Sequence, residues 1–175
     1  MHARAARHQS ILKNSHMISL RPVSKDDFDL IFEWENIPEL WPVSEQQGPF
    51  SREEIELFLS NCLNVDNSEI ERWIVCNSST PIGAIDIFEY DLHNRNCGIG
   101  VFIADPANRN KGFAGVALAM AVSMLQGRGC LLIRALIYAD NTSSCRLFLS
   151  AGFRKGASVP YKGKSALQFF WTPQA

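Results

Sequence analysis

The 175-residue sequence has almost no excess of charge of either sign: 17 lysine and arginine residues balance 18 aspartate and glutamate residues, a net charge of −1. Such a chain has no overall field that would attract nucleic acid or an acidic membrane surface. No apolar run approaches the roughly 20 residues that a transmembrane helix needs. The first sixteen residues are basic but contain no apolar core typical of a secretory signal. We therefore expect a cytoplasmic protein that binds neither nucleic acid nor membrane.

The sequence also lacks internal repeats, low-complexity tracts and linkers. Its five cysteines are scattered without a Cys-x-x-Cys pair, which favours reduced, buried thiols and argues against a metal site. A chain of 175 residues is long enough to bury a core within one domain. We predict a disordered leader at residues 1–16 and one folded domain, free of metal, at residues 17–175.

The most informative stretch is the basic, glycine-rich loop at residues 109–115, Arg-Asn-Lys-Gly-Phe-Ala-Gly. It follows a strand-like run at residues 98–103 and leads into an apolar, periodic segment at residues 116–125, which is predicted to be helical. The first N–H groups of a helix have no internal partner, and the helix dipole adds positive charge there. Glycine lets a phosphate approach the backbone closely. The loop therefore predicts a phosphate or pyrophosphate ligand.

The spacing of this loop excludes two common nucleotide-binding patterns. A Walker loop needs Gly-x-x-x-x-Gly-Lys-Ser/Thr, but Lys111 precedes its glycine and no hydroxyl residue follows. A dinucleotide fingerprint needs Gly-x-Gly-x-x-Gly, which Gly112 and Gly115 alone do not supply. The remaining pattern is Arg-x-x-Gly-x-Ala. A mononucleotide-binding module and an ordinary helix-capping loop are both alternatives at this point.

A second motif lies further along the chain. Residues 131–138 form an apolar run rich in β-forming residues, and Asp140-Asn141 follows it. Residues 142–151 are predicted to form a helix, because a capping residue precedes them and Gly152-Phe153 follows.

Together the two motifs resemble those of the GNAT family of N-acetyltransferases, Gln/Arg-x-x-Gly-x-Gly/Ala and Asn-x-x-Ser/Ala-x-x-Leu-Tyr-x-x-x-Gly-Phe. The resemblance covers nearly the whole chain from Met17. Within the family it is closest to the branch of spermidine acetyltransferases and ribosomal-protein N-terminal acetyltransferases, on Arg21-Pro22, the long loop after the first helix, and the strand that contains Asp86 and Glu89. The residues that match the two motifs are Arg109, Gly112, Ala114, Asn141, Ser144, Leu147, Gly152 and Phe153.

The mixed order of strands and helices predicts a mixed sheet with helices on both faces. The resemblance implies the GNAT fold, a single α/β domain (α+β mixed) with a mostly antiparallel sheet of about seven strands, about four helices and a V-shaped split between the fourth and fifth strands. Strands are predicted at residues 18–22, 71–76, 81–90, 98–103, 131–138, 154–159 and 165–171. Helices are predicted at residues 24–35, from residue 51 onward, at 116–125 and at 142–151.

The resemblance implies acetyl-CoA as the co-substrate, with its pantetheine arm in the split. Backbone groups of Phe102, Ile103 and Ala104 are expected to pair with the pantetheine amides, and the N–H groups of residues 110–115 to hold the pyrophosphate. Asn141 is expected to hydrogen-bond the coenzyme arm, cap a helix, or do both. The full set of expected coenzyme contacts is Phe102, Ile103, Ala104, Arg109, Asn110, Lys111, Gly112, Phe113, Ala114, Gly115, Asn141, Ser144 and Phe148.

The catalytic positions depart from the family pattern. Phe148 replaces the tyrosine that many members use as general acid, and Gly98 replaces a glutamate on the strand before the loop. The remaining candidates for proton transfer are Asp86, Glu89 and Tyr138, although solvent-facing acids and a packed core tyrosine would give the same pattern. Transfer stays feasible because a CoA thiol leaves readily and positioning supplies much of the rate.

The resemblance to the spermidine branch implies a polyamine or another small amine as the acceptor. Acidic residues gather in the segment that covers the acceptor in the family and would suit it, but such a run is more often a solvated helical face. N-terminal acetylation of a ribosomal protein is the alternative, and a catalytically weak acyl-CoA sensor is an alternative of another class. The terminal run Phe169-Phe170-Trp171 fits either the core or the surface of a homodimer. The acids are Glu35, Glu39, Glu45, Glu53, Glu54 and Glu56, and the expected acceptor-binding residues are Trp34, Trp41, Asp86, Glu89 and Tyr90.

Overall fold

The structure is a computed structural model that describes residues 17–43, 48–64 and 69–173. The predicted leader at residues 1–16 lies outside the described residues, and so does Glu45. Within the described ranges no helix is long and apolar enough to cross a membrane. The same ranges contain no group of three or more histidine, cysteine, aspartate or glutamate side chains placed to hold a metal ion.

Seven strands form one sheet, and they are β1 (Ile18–Pro22), β2 (Ile70–Asn77), β3 (Thr80–Asp91), β4 (Asn96–Ile103), β5 (Leu132–Tyr138), β6 (Arg154–Tyr161) and β7 (Lys164–Trp171). Their order across the sheet is β1-β2-β3-β4-β5-β7-β6. The β4–β5 pair is parallel and every other neighbouring pair is antiparallel. The predicted mixed, mostly antiparallel sheet is confirmed.

Four α-helices accompany the sheet in the described chain, and they are α1 (Phe28–Glu35), α2 (Arg52–Leu63), α3 (Phe113–Gly127) and α4 (Thr142–Ser150). The predicted capping box opens α2: the Ser51 hydroxyl accepts from the Glu54 N–H at 3.2 Å, and the Glu54 carboxylate accepts from the Ser51 N–H at 2.7 Å. The helix predicted to begin after Ser24 instead starts as a 3-10 turn, Lys25–Asp27, which leads into α1.

The helices cover the two faces of the sheet and enclose two cores. On the α3–α4 face, Phe113, Leu118 and Phe148 belong to the larger core. On the α1–α2 face, Ile31 and Ile55 belong to the smaller one. Strand β4 contributes to both, because successive side chains of a strand point to opposite faces: Cys97, Ile99 and Ile103 enter the first core, and Phe102 and Ala104 enter the second.

The sheet splits between β4 and β5, as expected for the fold. The two strands pair only at their first residues, Asn96↔Leu132, Cys97↔Ile133 and Gly98↔Arg134. Strand β5 instead pairs with β7 from Ile133 to Tyr138. The two parallel strands therefore separate after Gly98 and leave a gap that widens towards their carboxyl ends. We call the paired end the closed end and the other the open end.

A bulge near the end of β3 changes which residues share a face. The β3–β4 register shifts between Phe88 and Asp91, and Glu89 has a left-handed backbone conformation with φ of 51°. All five cysteines are free thiols; Cys76, Cys97 and Cys130 are buried as predicted, whereas Cys62 and Cys145 are half-buried. Of the terminal aromatic run, Phe169 is fully buried in the core, whereas Phe170 and Trp171 are half-buried.

Candidate active site

The glycine-rich loop at residues 109–115, which we call the phosphate loop, leads into α3 and has free N–H groups there. Gly112 is the residue before the helix and has φ of 83°, which a residue with a side chain rarely adopts. Within the described chain, the N–H groups of Gly112, Phe113 and Ala114 have no hydrogen-bond acceptor, whereas the Gly115 N–H donates to the Gly112 carbonyl at 3.1 Å. No heavy atom lies within 4 Å of the point where a Gly112 Cβ would stand. The loop is therefore open to an anion and fits a pyrophosphate.

Arg109 turns its side chain away from these N–H groups. Its Nε donates to the carbonyl oxygen of Ile103 at 2.9 Å, and its Nη2 donates to that of Ala104 at 2.8 Å. The guanidinium therefore ties the loop to the end of β4, and its charge lies near the loop without a direct approach. Asn110 supports the turn with a φ of 59°, and Lys111 is exposed.

The edge of β4 that faces the gap is defined by the β3–β4 ladder. The Ala104 N–H donates to the Ile82 carbonyl at 2.9 Å, so Ala104 is bonded to β3. A Cβ on Gly83 would lie 2.1 Å from the Phe102 carbonyl oxygen, so this oxygen also faces β3. Because hydrogen-bonded pairs alternate along an antiparallel ladder, the backbone of Val101 and Ile103 faces the gap.

Of the three residues predicted to offer backbone groups to the coenzyme arm, only Ile103 therefore faces the gap in this geometry. Its carbonyl already accepts from Arg109, which leaves its N–H. Val101 was not predicted. The sequence signal that would identify it is the alternation of β4 itself, counted from a residue known to pair with β3.

Asn141 precedes α4 as its capping residue, and Phe148 lies within the helix. The Asn141 side-chain oxygen accepts from the Ser144 N–H at 3.1 Å and caps the helix, while its amide NH₂ has no partner in the described chain. Phe148 is 3% exposed and packs against Phe153 and Phe169, with ring centroids 4.9 and 6.2 Å away. The ring that stands where the family has a tyrosine is thus part of the core.

On the α1–α2 face, Arg72 of β2 joins two acidic residues. Its Nε and Nη2 donate to the two oxygens of Asp86 at 2.7 Å each, and its Nη1 donates to Glu35. The guanidinium lies 4.5 Å from the ring of Phe58 and 5.4 Å from that of Phe102. Burial lowers the pKa of Arg72, but its attraction to Asp86 and Glu35 outweighs burial, and the pKa is raised above its ordinary value.

Two glycines of β4 shape the space beside Asp86. Gly100 pairs with Asp86, and no heavy atom lies within 4 Å of its missing Cβ. Gly98 is covered instead, because a Cβ there would lie 2.1 Å from a ring carbon of Phe88. The ring of Phe88 therefore covers the position where many family members have a glutamate, while the position of Gly100 remains open.

Tyr138 lies across the gap, at the end of β5. Its side chain is on the α1–α2 face, because Arg134 pairs with Gly98 and alternate residues share a face. The ring packs against Tyr161 at 6.1 Å between centroids, and the Lys164 ammonium lies 4.9 Å from its centre. The Lys164 Nζ is also 3.5 Å from the carbonyl oxygen of Pro42, so the β6–β7 hairpin contacts the loop after α1.

The other residues predicted to bind the acceptor or to transfer a proton do not lie together with Asp86. Trp34 is 6% exposed and packs edge-to-face on Phe102, as a core residue does. Trp41 lies on the loop after α1 and donates from Nε1 to the Glu35 carbonyl at 2.8 Å. Glu89 and Tyr90 lie at the closed end.

Glu89 pairs with Arg134 at 3.2 Å, and the Tyr90 hydroxyl donates to the Arg128 carbonyl at 3.4 Å, in α3's C-terminal cap. Burial raises the pKa of Tyr90 above its usual value. Both side chains lie beside Gly98, which pairs with Phe88. Ile103 lies five residues further along β4, and at 3.4 Å per residue this separates it from Gly98 by roughly 17 Å. Neither side chain is near the open end of the gap.

Sequence reasoning missed Arg72 and Lys164 as parts of the site. The sequence did contain a signal for Arg72, because a charged residue interrupts the apolar strand β2 just as Asp86 interrupts β3. Lys164 gave no such signal, because a lysine beside a hairpin glycine is typical of exposed turns.

Comparison with known proteins agrees with this geometry. The sequence pattern of the acetyltransferase (GNAT) domain family matches residues 18–154. No curated protein matches the sequence significantly. Among solved structures, a spermidine N-acetyltransferase from Vibrio cholerae in complex with CoA and spermine has a TM-score of 0.80 at 17% identity, over 90% of this chain and 96% of that one.

Two further solved structures have the same fold. The aminoglycoside acetyltransferase AAC(6')-Ib, in complex with coenzyme A, has a TM-score of 0.76 at 17% identity, over 89% of this chain and 94% of that one. A domain from Methanocaldococcus jannaschii has a TM-score of 0.75 at 20% identity, over 89% of this chain and 98% of that one.

The chain belongs to the GNAT family of acetyltransferases. It is an acyltransferase whose acetyl donor is acetyl-CoA, as the sequence motifs predicted. The GNAT fold, with its seven strands, four helices and parallel β4–β5 pair, is confirmed as well.

Proposed function

We propose that the protein transfers the acetyl group of acetyl-CoA directly to the primary amine of a small molecule, with both substrates bound together. The observation that carries the proposal is the gap between β4 and β5. Free N–H groups at residues 112–114 follow β4, Asp86 pairs with Gly100 of β4 on one side of the gap, and Tyr138 ends β5 on the other.

The coenzyme is proposed to lie along the loop and the gap. The N–H groups of Gly112, Phe113 and Ala114 would bind its pyrophosphate, because they are unpaired and lie at the positive end of α3. The carbonyl of Val101 and the N–H of Ile103 would pair with the pantetheine amides, because both face the gap on the part of β4 nearest the loop. The free NH₂ of Asn141 would donate to the same arm from the β5 side.

Acetyl-CoA supplies an activated thioester. Asp86 would bind the acceptor ammonium with the lone pairs that Arg72 leaves free and pass its first proton to water, which leaves a neutral amine. The amine nitrogen then forms a bond to the acetyl carbon as the carbon–sulfur bond breaks, and the Val101 N–H would polarise the thioester oxygen. The Tyr138 hydroxyl would protonate the departing sulfur, and the second proton of the amine nitrogen would restore that hydroxyl through water.

Two features support a small acceptor. The contact between Lys164 and Pro42 joins the β6–β7 hairpin to the loop after α1, and such a connection would narrow the open end of the gap. The carboxyl groups of Asp86 and Glu35 lie on that side and suit a cationic amine. The solved relatives with bound spermine or paromomycin carry small amines in the same fold.

Two other functions remain as candidates. Acetylation of a protein N-terminus needs the same chemistry with a wider entrance. An acyl-CoA sensor would use the loop and the gap without turnover, and the replacement of the usual residues by Phe148 and Gly98 favours it.

The test is a thiol-release assay with acetyl-CoA over a panel of amines, combined with calorimetric titration of acetyl-CoA. The panel contains spermidine, ribostamycin and a peptide with a free N-terminus. Thiol release with spermidine or ribostamycin supports the proposal. Release with the peptide alone establishes the N-terminal activity instead, and tight acetyl-CoA binding without release on any amine establishes the sensor.

A further inference from the structure

The guanidinium of Arg72 is held on every side. The residue is 5% exposed, both oxygens of Asp86 accept from it at 2.7 Å, and Glu35 accepts on the third nitrogen. The rings of Phe58 and Phe102 flank it at 4.5 and 5.4 Å. A planar guanidinium with these contacts has a single orientation, so it also fixes the two carboxyl groups.

The two acidic partners belong to different parts of the acceptor side. Glu35 is the last residue of α1, and its carbonyl oxygen accepts from Trp41 on the loop that follows. Asp86 is in the middle of β3, opposite the open position of Gly100. Arg72 therefore connects the end of α1, and the loop that follows it, to strand β3 on the side of the gap where the acceptor is proposed to bind.

We propose that Arg72 is a positioning residue for the acceptor amine, which acts by holding Asp86 and Glu35 towards the space over Gly100. The side chains of Asp86 and Glu35 are 19% and 24% exposed, so each carboxyl group reaches solvent while Arg72 does not. Each carboxylate has lone pairs beyond those that Arg72 uses, and these are the ones offered to the ammonium. The inference rests on the proposed function of this site.

A second arginine, Arg128 at the C-terminal cap of α3, provides a matched control. Arg128 binds both oxygens of Glu71 at 3.0 and 2.9 Å, and its guanidinium lies 5.7 Å from the ring of Trp73. It makes the same kinds of contact, but at the closed end and with a third of its side chain exposed. It has no connection to the gap, so its removal should leave the reaction unchanged.

The first measurement determines KM for the amine and KM for acetyl-CoA separately in the wild type and each variant. The amine is the member of the panel with the highest kcat/KM. Arg72→Met should raise the KM for the amine at least tenfold and change the KM for acetyl-CoA less than twofold, because the phosphate loop lies on α3. Arg72→Lys keeps the positive charge but lacks the planar guanidinium, so its KM for the amine should lie between those of the wild type and Arg72→Met. Arg128→Met should change neither constant.

A double-mutant cycle separates positioning from general support of the fold. If Arg72 acts through Asp86 and Glu35, the variant Arg72→Met/Asp86→Asn should raise the amine KM by less than the product of the two single effects, because only Glu35 is then left for Arg72 to position. Effects that multiply would overturn the proposal, and so would an Arg72→Met variant that raises both KM values equally or neither.

These outcomes are distinguishable from failure of the proposed function. A wild-type chain that acetylates no amine refutes the proposed function and this inference together. An active wild type with an unchanged Arg72→Met variant refutes this inference alone.

Discussion

The two sides of the gap between β4 and β5 are built from different materials. The side proposed for the coenzyme is mostly backbone: free N–H groups at the start of α3 and the open edge of β4. The acceptor side is made of side chains from α1, β2, β3 and β5, held by ion pairs and ring contacts. A backbone site needs particular conformations, whereas a side-chain site needs several distant residues to meet. We therefore expect the proposed coenzyme side to tolerate sequence change better at most positions, and the proposed acceptor side to select the amine.

The largest expected effect follows from a change of backbone on the coenzyme side. Gly112→Glu should weaken CoA binding at least a hundredfold in calorimetry, because a side chain with a negative charge would occupy the anion cradle at φ of 83°. Gly163→Glu is the matched control: Gly163 also has a positive φ, 78°, and open space around it, but it lies in the β6–β7 turn. Equal CoA affinity for a folded Gly112→Glu protein and the control would contradict the proposed coenzyme site.

The next effect concerns the two acids of β3. Asp86→Asn should lower kcat/KM for the amine about tenfold to a hundredfold with little change in CoA affinity, because the ammonium loses a charged partner. Glu89→Gln should leave kcat/KM unchanged, since Glu89 is 70% exposed at the closed end. A larger loss from Glu89→Gln than from Asp86→Asn would show that the amine approaches the closed end.

A smaller effect is expected from the hydroxyl across the gap. Tyr138→Phe should lower kcat about tenfold while both KM values stay nearly constant, because it removes a proton donor and keeps the ring contact with Tyr161. Tyr90→Phe, at the closed end, serves as the control and should retain wild-type kcat. An unchanged kcat in Tyr138→Phe would mean that the thiolate leaves without this donor.

The smallest effect should touch stability alone. The hydrogen bond from Arg21 holds the pKa of Asp27 below its ordinary value, although burial acts in the opposite direction. The folded-state pKa is thus below the unfolded one, so the stabilisation is present above about pH 4 and is lost as the pH falls through the folded-state pKa. Asp27→Asn should lower the free energy of unfolding at pH 7 by about 1–2 kcal/mol and flatten its decline in acid.

Urea denaturation of wild type and Asp27→Asn between pH 2 and pH 7 would measure this difference. Because the Arg21–Asp27 pair lies at the start of α1 and away from the gap, amine and acetyl-CoA kinetics at pH 7 should stay unchanged. Parallel acid sensitivity in the two proteins would rule out this pair as the source of the pH dependence.

The sequence itself determined the fold and the phosphate loop. Both depend on local patterns: strand β1 was predicted with its observed bounds, and so was the capping box of Ser51 and Glu54. Helix α3 begins at Phe113, three residues before its predicted start, so Gly112 of the loop motif is its capping residue. Helix ends, caps and alternating strands are set by residues within a few positions of one another, so a single sequence carries that information.

Only the tertiary structure decided the acceptor side. The bulge at Glu89 and the sheet register place Asp86 opposite Gly100 and Glu89 at the closed end of the gap, and neither position follows from strand alternation alone. Arg72 meets Glu35 across 37 positions of sequence, and Tyr138 meets Lys164 through the β6–β7 hairpin. Such contacts depend on how separate elements pack, which is fixed by the summed burial of the whole core and has no local signature in the chain.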